Sequence, residues 1–225
     1  MTLHRVLEPE VMDTLEEARD YDVMDHSEVN RVFVDDLFAA AEISGDVLDL
    51  GTGTALIPIE LCQRLEEEGV EDYRVMAADL STSMLDLARY NLEVRGLTNR
   101  IQLDHVDAKE LHYEDDQFDI VISNSIVHHI PEPIVAMREA IRVVKPGGLL
   151  FFRDLMRPET ADDVSRLVET YAGDENEHQR QMFDDSLRAA LSLDEARELV
   201  AQLGFNADSV QATSDRHWTW IARTK

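Results

Sequence analysis

The chain has 225 residues, 44% of them hydrophobic and 30% charged, enough to bury one substantial core but short for two, so a single domain over 1–225 is expected. Acidic residues number 47 against 21 basic ones, a formal net charge of -26; nucleic acid is an unfavoured partner, because binding a polyanion begins with a basic surface. The single cysteine, Cys62, excludes a disulfide framework and a multi-cysteine zinc site. The first ten residues lack the apolar stretch of a secretory signal, and no apolar run approaches the roughly 20 residues of a membrane span, so a cytoplasmic location is expected.

Residues 8–42 carry a helical pattern, with Val32, Phe33, Leu37, Phe38 and Ala41 on one apolar face, and are expected to form a lid over 1–44. From 45 to 155, short β-rich runs at 46–50, 73–78, 100–103, 118–123 and 148–153 alternate with helical patterns at about 55–68, 82–95 and 133–144. That alternation is the mark of βαβ units and a parallel sheet. Ser81 is placed to cap the helix at 82 and Gly96 to end it. Residues 156–192 read as a helical cap over a substrate pocket. Residues 193–225 read as a helix stopped by Gly204 and two β-like runs near 209–213 and 217–223. The expected architecture is α/β: a doubly wound, mostly parallel seven-stranded sheet with helices on both faces and an antiparallel last strand.

Five segments carry the chemistry. The first strand runs into Val47-Leu-Asp49-Leu-Gly51-Thr52-Gly53-Thr54, where glycines let the backbone approach a ligand and the next helix offers free N–H groups. A dinucleotide fingerprint also begins Gly-x-Gly, but its third glycine is absent here because position 56 is Leu. Asp79, ending the second strand in Asp79-Leu80-Ser-Thr-Ser-Met84, can accept both hydroxyl protons of a ribose, or serve as a helix cap. Met84 is a candidate to pack on a base, with the helix core as its other reading. Asp107-Ala108 follows the third strand, and Asn124-Ser125-Ile-Val-His128-His129 follows the fourth. Pro146-Gly-Gly148 reads as a helix stop and tight turn into the fifth.

In this order and spacing the segments resemble class I S-adenosylmethionine-dependent methyltransferases of the Rossmann-like kind. The similarity covers roughly 45–155 and is nearest to small-molecule members such as the ubiquinone and menaquinone biosynthesis group. It implies S-adenosyl-L-methionine as cofactor and S-adenosyl-L-homocysteine as product. Asp49 and Gly51 would hold the methionine end, Asp79 the ribose, and Asp107 and Ala108 the adenine, with Thr52, Gly53, Leu80 and Met84 as further cofactor contacts. Asn124 and Ser125 would lie beside the sulfur, with Tyr21 a lid over the methionine moiety. Outside the core, Arg153-Asp-Leu-Met-Arg157-Pro, Phe183-Asp-Asp-Ser-Leu-Arg188 and Ser214-Asp-Arg216-His217 are similar to an uncharacterised bacterial subgroup, which names no substrate.

Methyl transfer is an in-line displacement driven largely by alignment, and a base is needed only when the nucleophile arrives protonated. His129 and His128 are the candidate bases, against the reading that one packs on the sheet and the other caps a turn. Arg153, Arg157, Arg180 and Arg188 would suit an anionic small-molecule substrate, or would simply pair with neighbouring carboxylates. No Asp/Asp-Asn cluster stands apart from the cofactor segments, so no metal is expected. The Asn/Asp-Pro-Pro-aromatic motif of DNA-base methylation is replaced by Asn124-Ser-Ile-Val. RNA- or protein-directed methylation, a nicotinamide oxidoreductase and a non-catalytic cofactor-binding protein stand as alternatives. A homodimer is one option for the oligomeric state, on which the sequence carries no signal.

Overall fold

A computed structural model of the chain describes residues 3–9 and 14–225. Seven strands form one sheet, β1 (Gly45–Leu50), β2 (Tyr73–Asp79), β3 (Ile101–His105), β4 (Phe118–Asn124), β5 (Val144–Leu155), β6 (Val210–Ala212) and β7 (His217–Arg223), in the order β3-β2-β1-β4-β5-β7-β6. β1 pairs in parallel with both β2 and β4, and β2 with β3, while β6 and β7 run antiparallel. This is the mixed seven-stranded sheet that the alternating pattern implies. The strand order reverses at β1, whose carboxyl end is therefore a switch point of the sheet, where ligands of open α/β sheets bind. Among the described residues no helix is long and apolar enough to cross a membrane.

The chain divides into two compact units. The first takes in Val11–Asn124, Val135–Phe152 and Ile221–Lys225. Its helices are α1 (Leu15–Val23), α2 (Ser27–Ala40), α3 (Leu56–Glu67), α4 (Thr82–Arg95) and α5 (Pro133–Val143); α2 packs on α3 and α1 on α4. α4 begins where Ser81 accepts the Met84 N–H at 3.1 Å and ends at Gly96 with φ +70°, as the local capping chemistry dictates. The core joins Phe33, Val34 and Leu37 of α2 to Val47 of β1, Leu61 and Leu65 of α3 and Phe151 of β5. The Phe33 and Phe151 rings meet edge to face, 5.0 Å apart.

Two readings of this unit need correction. The helical pattern of 8–42 is realised as two helices, with residues 10–13 outside the described ones, but the buried face of α2 uses Val34 in place of Val32, which is 44% exposed. Pro146-Gly-Gly148 is not a turn ahead of the strand but lies inside β5. Its backbone is satisfied by the chain's end, the Gly147 N–H donating to the Thr224 carbonyl and the Thr224 N–H to that of Gly148.

The second unit takes in Met1–Glu10, Ser125–Ile134 and Arg153–Trp220. The acidic stretch expected as a helical cap folds as α6 (Ala161–Ala172) and α7 (Glu177–Ala189), which pack on each other through Val164, Leu167, Val168 and Leu187. Asn176 and Gln179 form a capping box at the start of α7. α8 (Leu193–Gln202) packs on β6, and the Phe205 and Trp220 rings meet edge to face at 5.2 Å.

Gly148 shows how tightly β5 is held. A Cβ there would meet Val144 Cγ2 at 2.7 Å and the Asp119 and Lys145 carbonyl oxygens at 2.8 Å. Two of the three obstacles are backbone atoms that cannot rotate away. Gly148→Ala is expected to cost about 1–3 kcal/mol, the usual penalty of overpacking, and to lower the thermal midpoint by several degrees. A melting curve superimposable on that of the parent chain would contradict this packing.

Candidate functional site

The first unit builds a cradle at the carboxyl end of β1. The Gly51 and Thr52 N–H groups both donate to the Ala78 carbonyl, at 2.8 and 3.0 Å, which folds the turn back over β2. Gly51, Gly53 and Ala55 all have left-handed backbone, with φ of +72°, +55° and +65°. Glycine adopts this readily; Ala55, with its Cβ, holds it at a cost of roughly 1–2 kcal/mol. Asn91 of α4 secures the turn, its Nδ2 donating to the Thr54 carbonyl at 3.1 Å and to Asp22 Oδ1 of α1 at 2.9 Å. α1 thereby brings Tyr21 to the turn: a Cβ on Gly53 would lie 3.7 Å from Tyr21 Cε1.

Three polar atoms in this cradle, Asp49 Oδ2, Thr52 Oγ1 and Thr54 Oγ1, are buried and meet no partner at full hydrogen-bond geometry among the described residues, although the Thr52 side chain is near enough to Asp49 to favour its anion. Burial of polar atoms without hydrogen bonds is costly, and such groups in a cleft mark places where a ligand completes the bonding. Asp49 is 2% exposed, and burial pushes its carboxyl up to about 7, opposed by the Thr52 side chain and reinforced by the nearby Asp79 charge. Burial also raises Asp79, opposed by the backbone N–H groups it accepts, from Gly53 at 2.7 Å on Oδ2 and from Ser81 at 2.8 Å on Oδ1. The cap of α4 is supplied by Ser81, so Asp79 is not needed for that purpose. Burial and the carboxylates of Asp79, Asp49 and Asp22 push the Tyr21 phenol up to about 12, leaving it a neutral donor.

The remaining expected ligands of this unit sit at the neighbouring strand ends. Asp107 Oδ1 accepts the Lys109 N–H at 2.8 Å and faces Lys109 Nζ at 3.1 Å, with Ala108 between them in sequence. The Leu80 carbonyl is taken by His105 Nε2 at 2.8 Å. Met84 is buried in the core face of α4, and Asn124 ends β4 half-buried. Thr54 ends the run singled out from the sequence, while Asn91 is a cradle residue that reading the motifs passed over. Asn91 looks like any polar position on a helix.

In the second unit Ser125 has left-handed backbone, φ +57°, and its N–H donates to the Arg153 carbonyl at 2.9 Å. The turn that follows aims His128 and His129 the same way, their rings 4.2 Å apart. His128 Nδ1 lies 2.5 Å from Asp154 Oδ1, while Asp154 Oδ2 accepts the Val127 N–H at 2.6 Å. Burial works against a charge on His128, but Asp154 and Glu8 outweigh it and raise its pKa. His129, buried beside His128, is pulled down to about 3 and is a neutral ring.

The arginines of this unit are occupied by protein. Arg157 donates to the Leu3 and Ala190 carbonyls and to Glu195, Arg180 pairs with Glu169, and Arg188 pairs with Asp184. Arg153 Nε donates to Thr219 Oγ1 at 2.9 Å. His217 closes the β6–β7 turn through Ser214 Oγ at 2.9 Å, and Arg216 stacks on the Tyr171 ring at 3.4 Å.

Residues 48–152 match the family model described as "Methyltransferase domain". Over 126 residues the chain is 31% identical to the ubiquinone/menaquinone biosynthesis C-methyltransferase UbiE of Vibrio vulnificus, covering 56% of this chain and 46% of that one. The chain thus spans about half the length of the curated relatives it matches. Among solved structures, a SAM-dependent methyltransferase from Aquifex aeolicus superposes with TM-score 0.67 at 17% identity, covering 94% of this chain and 99% of that one. The plantazolicin methyltransferase BpumL, solved with SAH, gives TM-score 0.71 at 12% identity over 93% and 91%. These likenesses establish the fold, and they bear out the resemblance carried by the strand-end motifs.

The raised Asp49 carboxyl has a signed consequence. Between its ordinary value of 3.8 and about 7 the folded state keeps a proton that the unfolded state has released, so this group's contribution to stability falls as pH rises through that window and is flat above it. Asp49→Asn is expected to remove this slope without ligand, gaining up to about 4 kcal/mol on the parent chain between pH of about 4 and 7. Denaturant titrations of both proteins across this range measure the difference; parallel stability curves would show that Asp49 titrates normally.

Proposed function

We propose that this chain, whose residues 48–152 belong to the methyltransferase-domain family, holds S-adenosyl-L-methionine in the β1–β2 cradle and transfers its methyl group to a small-molecule acceptor. One observation carries the reading: buried polar atoms of Asp49, Thr52 and Thr54 that lack full hydrogen-bond geometry among the described residues gather at a left-handed glycine turn beside a second carboxylate, Asp79. Bound there, the cofactor supplies an electrophilic methyl on a cationic sulfur. Asp49 offers an acceptor for an ammonium group and becomes the favoured anion once that charge arrives. Asp79 keeps free lone pairs on both oxygens for ribose hydroxyls, its orientation fixed by the Gly53 and Ser81 N–H groups. Asp107 and Ala108 address the adenine edge, Asn124 the neighbourhood of the sulfur, and Tyr21 covers the turn from α1.

This chain's part in the reaction is alignment and exclusion of water, which suffice for an in-line displacement on an activated methyl. A small-molecule acceptor is supported by the names of the relatives, a quinone-biosynthesis C-methyltransferase and the methyltransferase of plantazolicin. The net charge of -26 weighs against RNA. An anionic acceptor has less support, because Arg157, Arg180 and Arg188 already meet protein acceptors.

Calorimetry with S-adenosyl-L-homocysteine and with NAD tests the cradle. The homocysteine compound is expected to bind and NAD is not; tight binding of NAD alone would overturn the reading. Asp79→Ala is expected to weaken binding about 100-fold, the loss of charge-assisted hydrogen bonds worth about 3 kcal/mol. Affinity close to that of the parent chain would place the cofactor elsewhere. Labelled cofactor incubated with a metabolite extract then identifies the acceptor; binding without transfer across such a panel would favour a non-catalytic role.

A further inference from the structure

The second unit contains a cluster that the cofactor cradle does not use. Glu8 from the amino-terminal segment meets His128 and His129 from the turn after β4: Glu8 Oε1 lies 3.5 Å from His128 Nε2 and 3.2 Å from His129 Nδ1. One ligand atom from each of the three residues falls within 4.8 Å of the others. Four donors around a tetrahedral zinc ion, each about 2.0–2.1 Å from the metal, stand about 3.3 Å from one another. The two distances to Glu8 bracket that edge.

Hydrogen bonding within the cluster fits ligation better than it fits a closed polar network. His129 Nδ1 is buried and makes no hydrogen bond among the described residues, despite its closeness to Glu8. His128 turns its other ring nitrogen to Asp154, 2.5 Å away. A carboxylate behind a ligating imidazole, as Asp154 stands behind His128, is the arrangement that fixes a metal-binding tautomer. Ser186 Oγ steadies the Glu8 carboxylate at 3.2 and 3.3 Å, and Arg5 anchors the turn through the His128 and Ile130 carbonyls, both at 3.1 Å.

We propose that Glu8, His128 and His129 form a binding site for a divalent transition-metal cation of the zinc class, with Asp154 orienting His128 and a fourth coordination position open. Two imidazoles and one carboxylate are a borderline donor set that favours zinc or cobalt over magnesium and calcium, which prefer oxygen alone. Three protein ligands leave room for a water or an oxygen donor of a ligand, on which the cation acts as a Lewis acid. The histidines are then ligands through neutral ring nitrogens rather than free bases. The proposal is independent of the methyl-donor reading, since it is tested with no methyl donor present.

The test uses the whole 225-residue chain without an affinity tag. Equilibrium dialysis against zinc with elemental analysis, and titration with Co(II) followed by its visible absorption, are expected to show one bound equivalent with the intense bands of four- or five-coordinate cobalt. His129→Ala and Glu8→Gln should abolish that equivalent. Asp154→Asn should weaken it about 10–100-fold, as the loss of an outer-shell partner does. Far-UV circular dichroism checks that each variant is folded. Should His129→Ala lose its fold, Glu8→Gln, which keeps the side chain's size, decides the matter. Absence of saturable uptake by the parent chain, only the weak bands of octahedral cobalt, or an unchanged equivalent in folded Glu8→Gln would each overturn the proposal.

Discussion

A carboxylate lies in the core of this protein at the carboxyl end of β1, with one oxygen unpaired and with a second carboxylate, Asp79, adding its charge nearby. Much of the first unit can be read as the scaffold that makes this tolerable. Strand order reverses at β1, and the carboxyl end of a strand at such a reversal is where ligands of open α/β sheets bind. The Gly51-Thr-Gly53 turn after β1 takes left-handed φ at both glycines, which glycine adopts without a Cβ penalty, and it brings the Thr52 side chain to Asp49. Burial raises the proton affinity of Asp49, so without a ligand its acid and anion are both populated near neutral pH, and an arriving cation favours the anion.

Asp79 serves two ends with one side chain. Its contacts to the Gly53 and Ser81 N–H groups hold the glycine turn and the start of α4 in register, and the same contacts fix the direction of the lone pairs left over. Preorganisation of this kind places the cost of ordering the carboxylate in folding rather than in binding. The bond from Asn91 to Asp22 extends the principle to α1, so Tyr21 stands over the turn without depending on ligand.

The second unit follows a different logic. Its buried charges are paired or held by backbone, as burial requires: Arg157 by two carbonyls and Glu195, and Asp154 by the Val127 N–H and His128. His129 Nδ1 stands apart from that pattern, buried without a hydrogen bond among the described residues. It is the place in this unit where protein groups alone leave the bonding unfinished.

Local chemistry determined what the sequence could tell. Ser81 and Gly96 bound α4 at the residues their capping roles predict, because a cap is settled within one turn of chain. The short apolar runs of β1, β2, β4 and β7 and the strand-end positions of Asp49, Asp79, Asp107 and Asn124 were legible for the same reason, together with the family they resemble. Contacts between distant segments were not legible. β5 continues through Pro146-Gly-Gly148 because the chain's last residues satisfy its backbone, and no local pattern carries that pairing. The face of α2 shifted from Val32 to Val34 because packing against β1, α3 and β5 overrides a periodicity read over a few residues. Glu8 and Asp154 looked like members of an acidic majority, and only tertiary structure brought them to His128 and His129. Periodicity and capping act within a few residues, while a ligand set is assembled by whichever surfaces the fold presses together.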